Sequence, residues 1–194
     1  MSDINDLIDF VKFTHEIRNV RRALILDGTT QENDAEHSYQ LAFIAWFIID
    51  RDELKLDKYR AVCLAMVHDI VEVYAGDVIA FAPVKTLADQ RQKEAIAVRK
   101  LREQWPAFNS LHKSVYEYEN LSSEEAKFVF ALDKLVPIIN NYLYEGKAWK
   151  KHGITLEKMQ SIKVGKIDKN PRVDEYYQQL LKILEKNPRI FGTE

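Results

Sequence analysis

Polar side chains set inside otherwise apolar segments are where this chain can do chemistry, because burying them costs free energy unless they are paired or hold a metal. Three places in the 194 residues fit that description. His37 opens the most hydrophobic stretch, which continues through Leu41, Phe43, Ile44, Trp46, Phe47 and Ile48. His68 and Asp69 follow Leu64-Ala65-Met66-Val67, where the pattern leads one to expect another apolar residue. Asp133 interrupts Phe128-Val129-Phe130-Ala131-Leu132 and Leu135-Val136. Two imidazoles and two carboxylates make a mixed nitrogen and oxygen set, suited to one borderline or hard divalent ion: Mn, Fe, Co, Ni, Zn or Mg.

Other charged residues stand near these four. Glu72 lies four residues after His68, one turn on along the same helix face, and Asp77 follows Gly76 in the next loop. A carboxylate beside an activated water can serve as general base, or as general acid to a leaving group. Arg18, Arg21 and Arg22 form a cationic stripe, Arg18 and Arg22 sharing a helix face, and Lys134 adds a positive charge next to Asp133. Guanidinium groups suit phosphate through bidentate hydrogen bonds. Each residue also has an ordinary role open to it. His37 can be a cap, His68-Asp69 a helix C-terminus favoured by the dipole, Asp133 a partner of Lys134, and the arginines a solvated face. His15, His112 and His152 interrupt no apolar run and are read as structural or surface residues.

These residues need rigid elements to hold them. With only 6 Gly and 5 Pro, breakers are sparse, and apolar residues recur at helical spacing with no sustained alternation. A first helix is expected from Ile4 to about Leu24, with Leu7, Ile8, Val11, Ile17 and Val20 inward, followed by a loop from Leu26 to Asn33. Asn33 or Asp34 can cap the next helix, to about Ile49, which is apolar nearly all round and belongs at the centre of a bundle. Asp57 caps a third, from Lys58 to about Val73. Further helices are expected at Thr86–Gln104 and Phe108–Glu119. A long helix starts at Ser122 or Ser123, with Glu125 in capping-box position relative to Ser122, and runs to Gly146. Segments 155–166 and 172–185 read as two peripheral amphipathic helices. The expectation is an all-α, single-domain multi-helix bundle over residues 1–194, with its core at about 5–150.

Composition narrows the partners. The formal net charge of -2 supplies no global basic field for nucleic acid. One cysteine, Cys63, excludes an internal disulfide and a CxxC zinc site; its apolar neighbours suggest a buried thiol. The N-terminus has no signal-peptide character and no apolar stretch reaches the roughly 20 residues of a membrane helix, so a cytoplasmic location is expected.

Taken together, the first His, the His-Asp pair and the distant Asp resemble the HD-domain signature. Glu32-Asn33-Asp34-Ala35-Glu36-His37-Ser38 resembles the first-ligand segment of the branch containing bacterial 5′-deoxynucleotidases. Val67 to Asp77, with His68-Asp69, Glu72 and Gly76-Asp77, resembles that branch's HD-x-x-E-x-x-x-G-D segment. Ser122 to Phe128 and Ala131 to Leu135 resemble its last-ligand helix. The three blocks fall in the right order over about residues 5–150. The resemblance implies metal ligation by His37, His68, Asp69 and Asp133, catalytic roles for Glu72 and Asp77, and hydrolysis of nucleoside 5′-monophosphates. It also implies an arginine for the phosphate, with Arg18 the first choice. The nucleotidases carry Arg-Trp-Pro there, whereas Arg18 is followed here by Asn19. Related enzymes are dimers, so a homodimer is expected. Cleavage of phosphodiesters or triphosphates, and a non-catalytic metal- or nucleotide-binding role, stay open as alternatives.

Overall fold

The computed structural model describes residues 3–26 and 30–192. Helix α1 (Ile4–Glu16) starts at Asp3, whose carboxylate accepts the Asn5 N–H. It stops earlier than expected, in a 3₁₀ turn over Ile17–Asn19. The next residues form strand β1 (Arg21–Leu26), paired antiparallel with β2 (Thr30–Asn33), Arg21 opposite Asn33 and Leu26 opposite Thr30. The helix is broken by competing partners: the Val20 N–H bonds Ile17 O, while Val20 O takes the Asp34 N–H at 3.2 Å. Asp27, Gly28 and Thr29, the middle of the expected loop, lie outside the described residues. Leu7, Ile8 and Val11 are exposed; α1 docks instead through Phe10 and Phe13, which meet Trp105 with ring centroids 5.0 and 5.6 Å away.

Helix α2 (Asp34–Arg51) opens with a full capping box. Asn33 Oδ1 accepts the Glu36 N–H, and Glu36 Oε2 accepts the Asn33 N–H, both at 3.1 Å. Asp57 caps α3 (Lys58–Val67) through the N–H groups of Tyr59 and Arg60. The expected continuation to Val73 is broken at 68–71 by a tighter turn, after which α4 (Glu72–Ala75) is a single turn. Gly76, at φ 72°, ends it in a conformation that favours glycine. Then come α5 (Val84–Gln104), α6 (Asn109–Glu119), α7 (Glu124–Leu143), α8 (Lys147–Lys151), α9 (Leu156–Lys163) and α10 (Pro171–Glu185). Ser123, not Ser122, caps α7, and Glu125 turns away to accept the Asp57 N–H at 2.9 Å. The molecule is the expected all-α bundle with one small hairpin added.

The core lies where α2, α3 and α7 meet, with Leu41, Ala45, Ala61, Leu64, Phe128 and Leu132 fully buried. Helix α2 is not enclosed all round: Ala42, Ala45 and Ile49 face inward, while Phe43 and Phe47 are 55% and 58% exposed. Cys63 is exposed rather than buried. The C-terminal helices are not peripheral. Met159, Ile167, Val173 and Leu184 are buried in the same core as Leu41 and Phe128, so they share its hydrophobic stabilisation. Among the described residues, no helix is long and apolar enough to cross a membrane.

Asp52, at the end of α2, fastens α10 to the core. Its carboxylate takes hydrogen bonds from Arg51, Arg172 and Tyr176 and is 7% exposed. Arg51 and then Arg172 hold it well below the usual carboxylate range. A carboxylate with a depressed folded pKa stabilises above its unfolded value, about 4, and that stabilisation fades as pH falls further. Asp52→Asn is expected to lower the thermal midpoint at pH 7, the deficit narrowing below about pH 4. Thermal scans from pH 7 to 3 check this; a deficit unchanged at pH 3 would remove the charge from the explanation.

Candidate metal centre

The capping box aims the first turn of α2 inward, which places His37 at 0% exposure. His68 sits at the end of α3, with Asp69 in the turn after it. Asp133 comes from the middle of α7. These three elements bring the four residues together. His37 Nε2 lies 2.9 Å from Asp133 Oδ1, and His68 Nε2 lies 2.9 Å from Asp69 Oδ2 and 3.6 Å from Asp133 Oδ1. The two rings stand 5.2 Å apart. His37, His68 and Asp69 can each offer one ligand atom within 4.8 Å of the others.

The donor set fits a divalent cation. His68 Nδ1 is satisfied by Ala65 O at 2.8 Å, and Nε2, although near Asp69, has no hydrogen-bond partner. That is the arrangement in which one ring nitrogen is steered outward by a bond on the other. Glu72 Oε2 and Asp34 Oδ2 are also buried without partners. Asp34, Asp69 and Glu72 form a second group of close donors.

Burial of the carboxylates dominates the electrostatics, with their mutual repulsion after it. Burial, with Asp69 and Asp34, pushes the Glu72 carboxyl up to about 11. Burial, with Asp69, pushes Asp34 up to about 6 against the pull of Arg22. Burial also raises Glu32, to about 7, and Asp77. Burial works against the charged His68 ring, but Asp69 and Asp133 outweigh it and push the ring up to about 10. Asp69 and Asp133 end well below the usual range: His68 and Arg22 overcome burial at Asp69, and Lys134 with the two histidines does so at Asp133. For His37, burial prevails and lowers the ring.

The hairpin supplies the main counter-charge. Arg22, 15% exposed, donates to Asp69 Oδ2 at 2.7 Å and Asp34 Oδ1 at 3.1 Å, and its Nε is 3.2 Å from Glu32 Oε2. Glu32 is held in turn by Asn140 Nδ2. Lys134 Nζ lies 2.6 Å from Asp133 Oδ2. The Tyr118 hydroxyl donates to the same oxygen at 3.3 Å. Gln90 Nε2 on α5 bonds Gly76 O at 2.6 Å, fixing the turn that presents Asp77.

A cavity of about 270 Å³ opens onto this cluster. It is lined by Arg22, Asp69, Glu72, Asp77, Asp133 and Lys134, and by apolar Phe81, Ile138, Trp149 and Met159. Arg18 and Arg21 are exposed and stand outside that lining, so the cationic stripe is split and Arg22 alone faces inward. Sequence reading took Asp34 only as a cap and gave Glu32 no role. An acidic residue three and another five positions before His37 was the available signal. His152, read as a surface residue, lies at the cavity wall, as does Lys163. Nothing in the helical spacing of the tail marks either.

A family model described as HD domain matches residues 14–174. The chain belongs to the HD-domain family. Curated HD-domain relatives are close enough to compare over most of their length. The 5′-deoxynucleotidase HDDC2 of Xenopus laevis is 33% identical over 147 residues, covering 72% of this chain and 69% of that protein. Its human counterpart is 32% identical, with coverages of 72% and 68%. Among solved HD structures, a chain of Magnetospirillum magnetotacticum described as a "predicted metal-dependent phosphohydrolase" superposes with a TM-score of 0.78 at 27% identity. That match covers 97% of this chain and 95% of the other.

Arg22 is the cation on which three buried carboxylates depend. Replacing it with Met leaves them unpaired, a change that costs roughly 3–5 kcal/mol in comparable buried ion pairs. Urea denaturation of metal-free Arg22→Met is expected to show a loss of that order. Adding Asp34→Asn is expected to return part of it. A single variant as stable as the parent would deny Arg22 this role.

Proposed function

We propose that this chain hydrolyses deoxynucleoside 5′-monophosphates to the nucleoside and phosphate. It is an HD-domain phosphohydrolase, and the curated relatives it matches are 5′-deoxynucleotidases. The observation that carries the reading is the cluster of His37, His68, Asp69 and Asp133 beside a cavity that Asp69, Asp133 and the half-buried Glu72 line together with apolar residues. We assign His37, His68, Asp69 and Asp133 as the ligands of one divalent ion. Such an ion, when bound, makes water more acidic and offsets charge on phosphoryl oxygens.

The chain's own groups do the rest. Glu72 and Asp77 line the cavity and are both displaced towards the protonated form by burial. Either can hold the proton that leaves the nucleophile or the one that the leaving 5′-oxygen requires. Arg22 holds the Asp69 carboxylate in place through its 2.7 Å bond, and Lys134 does the same for Asp133. Phe81, Ile138 and Trp149 offer the apolar surface that a base and sugar need.

We read the active form as a homodimer. Tyr39, Phe43, Trp46 and Phe47 expose aromatic surface along α2, with Tyr39 and Phe43 in ring contact at 4.8 Å. A patch of this kind is commonly covered in an assembly.

Two measurements test these readings. With Mn, Co, Mg, Zn or Fe(II) added singly, phosphate release from deoxynucleoside 5′-monophosphates should require a metal. It should fall to background in Asp69→Ala, together with bound metal measured by elemental analysis. Release from Asp69→Ala, or cleavage of diesters alone, would overturn the assignment. Light scattering should give twice the chain mass for the parent and a smaller mass for Phe43→Glu; a monomeric parent would sink the dimer.

A further inference from the structure

Six carboxyl groups line the cavity against three lysine or arginine side chains: Arg22, Lys134 and Lys163. A phosphate monoester arrives as a dianion, so it needs cationic groups not already neutralised. Arg22 is committed to Asp69, Asp34 and Glu32, and Lys134 to Asp133. The charge of each is therefore already offset in part by carboxylates, so neither presents a full positive charge to an incoming anion.

Lys163 differs. It is the last residue of α9, is 9% exposed, and lines the cavity from the C-terminal part of the chain. Among the described residues its side-chain ammonium has no hydrogen bond and no ion pair, while its carbonyl accepts the Lys166 N–H. Buried lysines are ordinarily paired. A position at a helix C-terminus favours a cation, but an exposed side chain would satisfy that preference without burial. Burial, and after it the charge of Lys134, pulls the Lys163 ammonium down to about 7, whereas a paired lysine beside a carboxylate moves the other way, as Lys134 does.

We infer that Lys163 binds the phosphate of the substrate, as a buried cation of the cavity wall that no carboxylate neutralises. This rests on the phosphohydrolase reading for the identity of the anion, and on geometry for the residue. Lys163 is a binding residue contributed by the tail, far in sequence from all three family blocks. Arg22 and Lys134, by contrast, each hold carboxylates in place.

The test uses full-length metal-loaded protein and the variants Lys163→Met and Lys163→Arg. Lys158→Gln, an exposed substitution on the same helix, serves as control. Lys163→Met is expected to raise KM for a deoxynucleoside 5′-monophosphate about tenfold or more, the scale of losing one charge-assisted contact. It should leave bound metal unchanged, and Lys163→Arg should recover most of the loss. Thermal midpoints separate binding from scaffolding. An unpaired buried cation costs stability, so Lys163→Met should melt no lower than the parent. A lower midpoint with unchanged KM would make the lysine structural and overturn the inference. Inorganic phosphate binding by calorimetry covers the case in which the parent turns over no mononucleotide. Weaker phosphate binding in Lys163→Met then upholds the anion site while the substrate reading fails. Equal binding in parent and variant removes the site whatever the substrate is.

Discussion

The cost of burying carboxylates side by side, out of water first and against one another second, is the constraint from which most of this structure follows. Glu32, Asp34, Asp69, Glu72, Asp77 and Asp133 converge on one interior region, where little water is present to screen them. Neutralisation comes from three sources: the Arg22 guanidinium, the Lys134 ammonium, and protons taken up by Glu72 and the His68 ring. A divalent ion is a fourth source, and it can replace those protons. The scaffold is thus built around an unfavourable charge density that function needs. The large apolar core of α2, α3 and α7 is what tolerates it.

The hairpin makes sense in the same light. Six residues that could have prolonged α1 form a strand instead, and the change of conformation turns Arg22 inward while Arg21 and Arg18 stay outside. On a continuous helix Arg18 and Arg22 would share a face. Pairing with β2 brings Arg22 next to Glu32 on the neighbouring strand and Asp34 at the start of α2. One local departure from helical spacing therefore decides which arginine serves the site.

The meeting of His37, His68, Asp69 and Asp133 was legible because each breaks an apolar pattern, and a polar residue in an apolar helix is visible in one dimension. The caps Asn33 and Asp57 were legible for a similar reason, since their chemistry is local. The hairpin was not, because Arg21 to Leu26 has ordinary helix-forming residues, and only pairing with the strand that follows and the ion pairs of Arg22 with carboxylates override them. Helix α2 misled for another reason: apolar residues on all sides were taken to mean enclosure, yet its Phe43 and Phe47 face solvent. Cys63 likewise has apolar neighbours in sequence and an exposed place in the fold. Lys163 was invisible, because an amphipathic helix shows which face is polar but not what that face meets.

The polar cluster beside the cavity comes from residues 37–133, but part of the cavity wall comes from Trp149, His152, Ile154, Met159 and Lys163. On the ribosome these later residues emerge after the ligand helices have had time to pack. A nascent chain ending at α7 would hold the full set of donor atoms beside an open flank, with the Met159 and Ile167 part of the core missing. Such a chain would hold the charged cluster before the cavity beside it has its full wall. Completion of the wall thus sets an order in biogenesis, with the charged centre assembled first and the chamber that isolates it closed last.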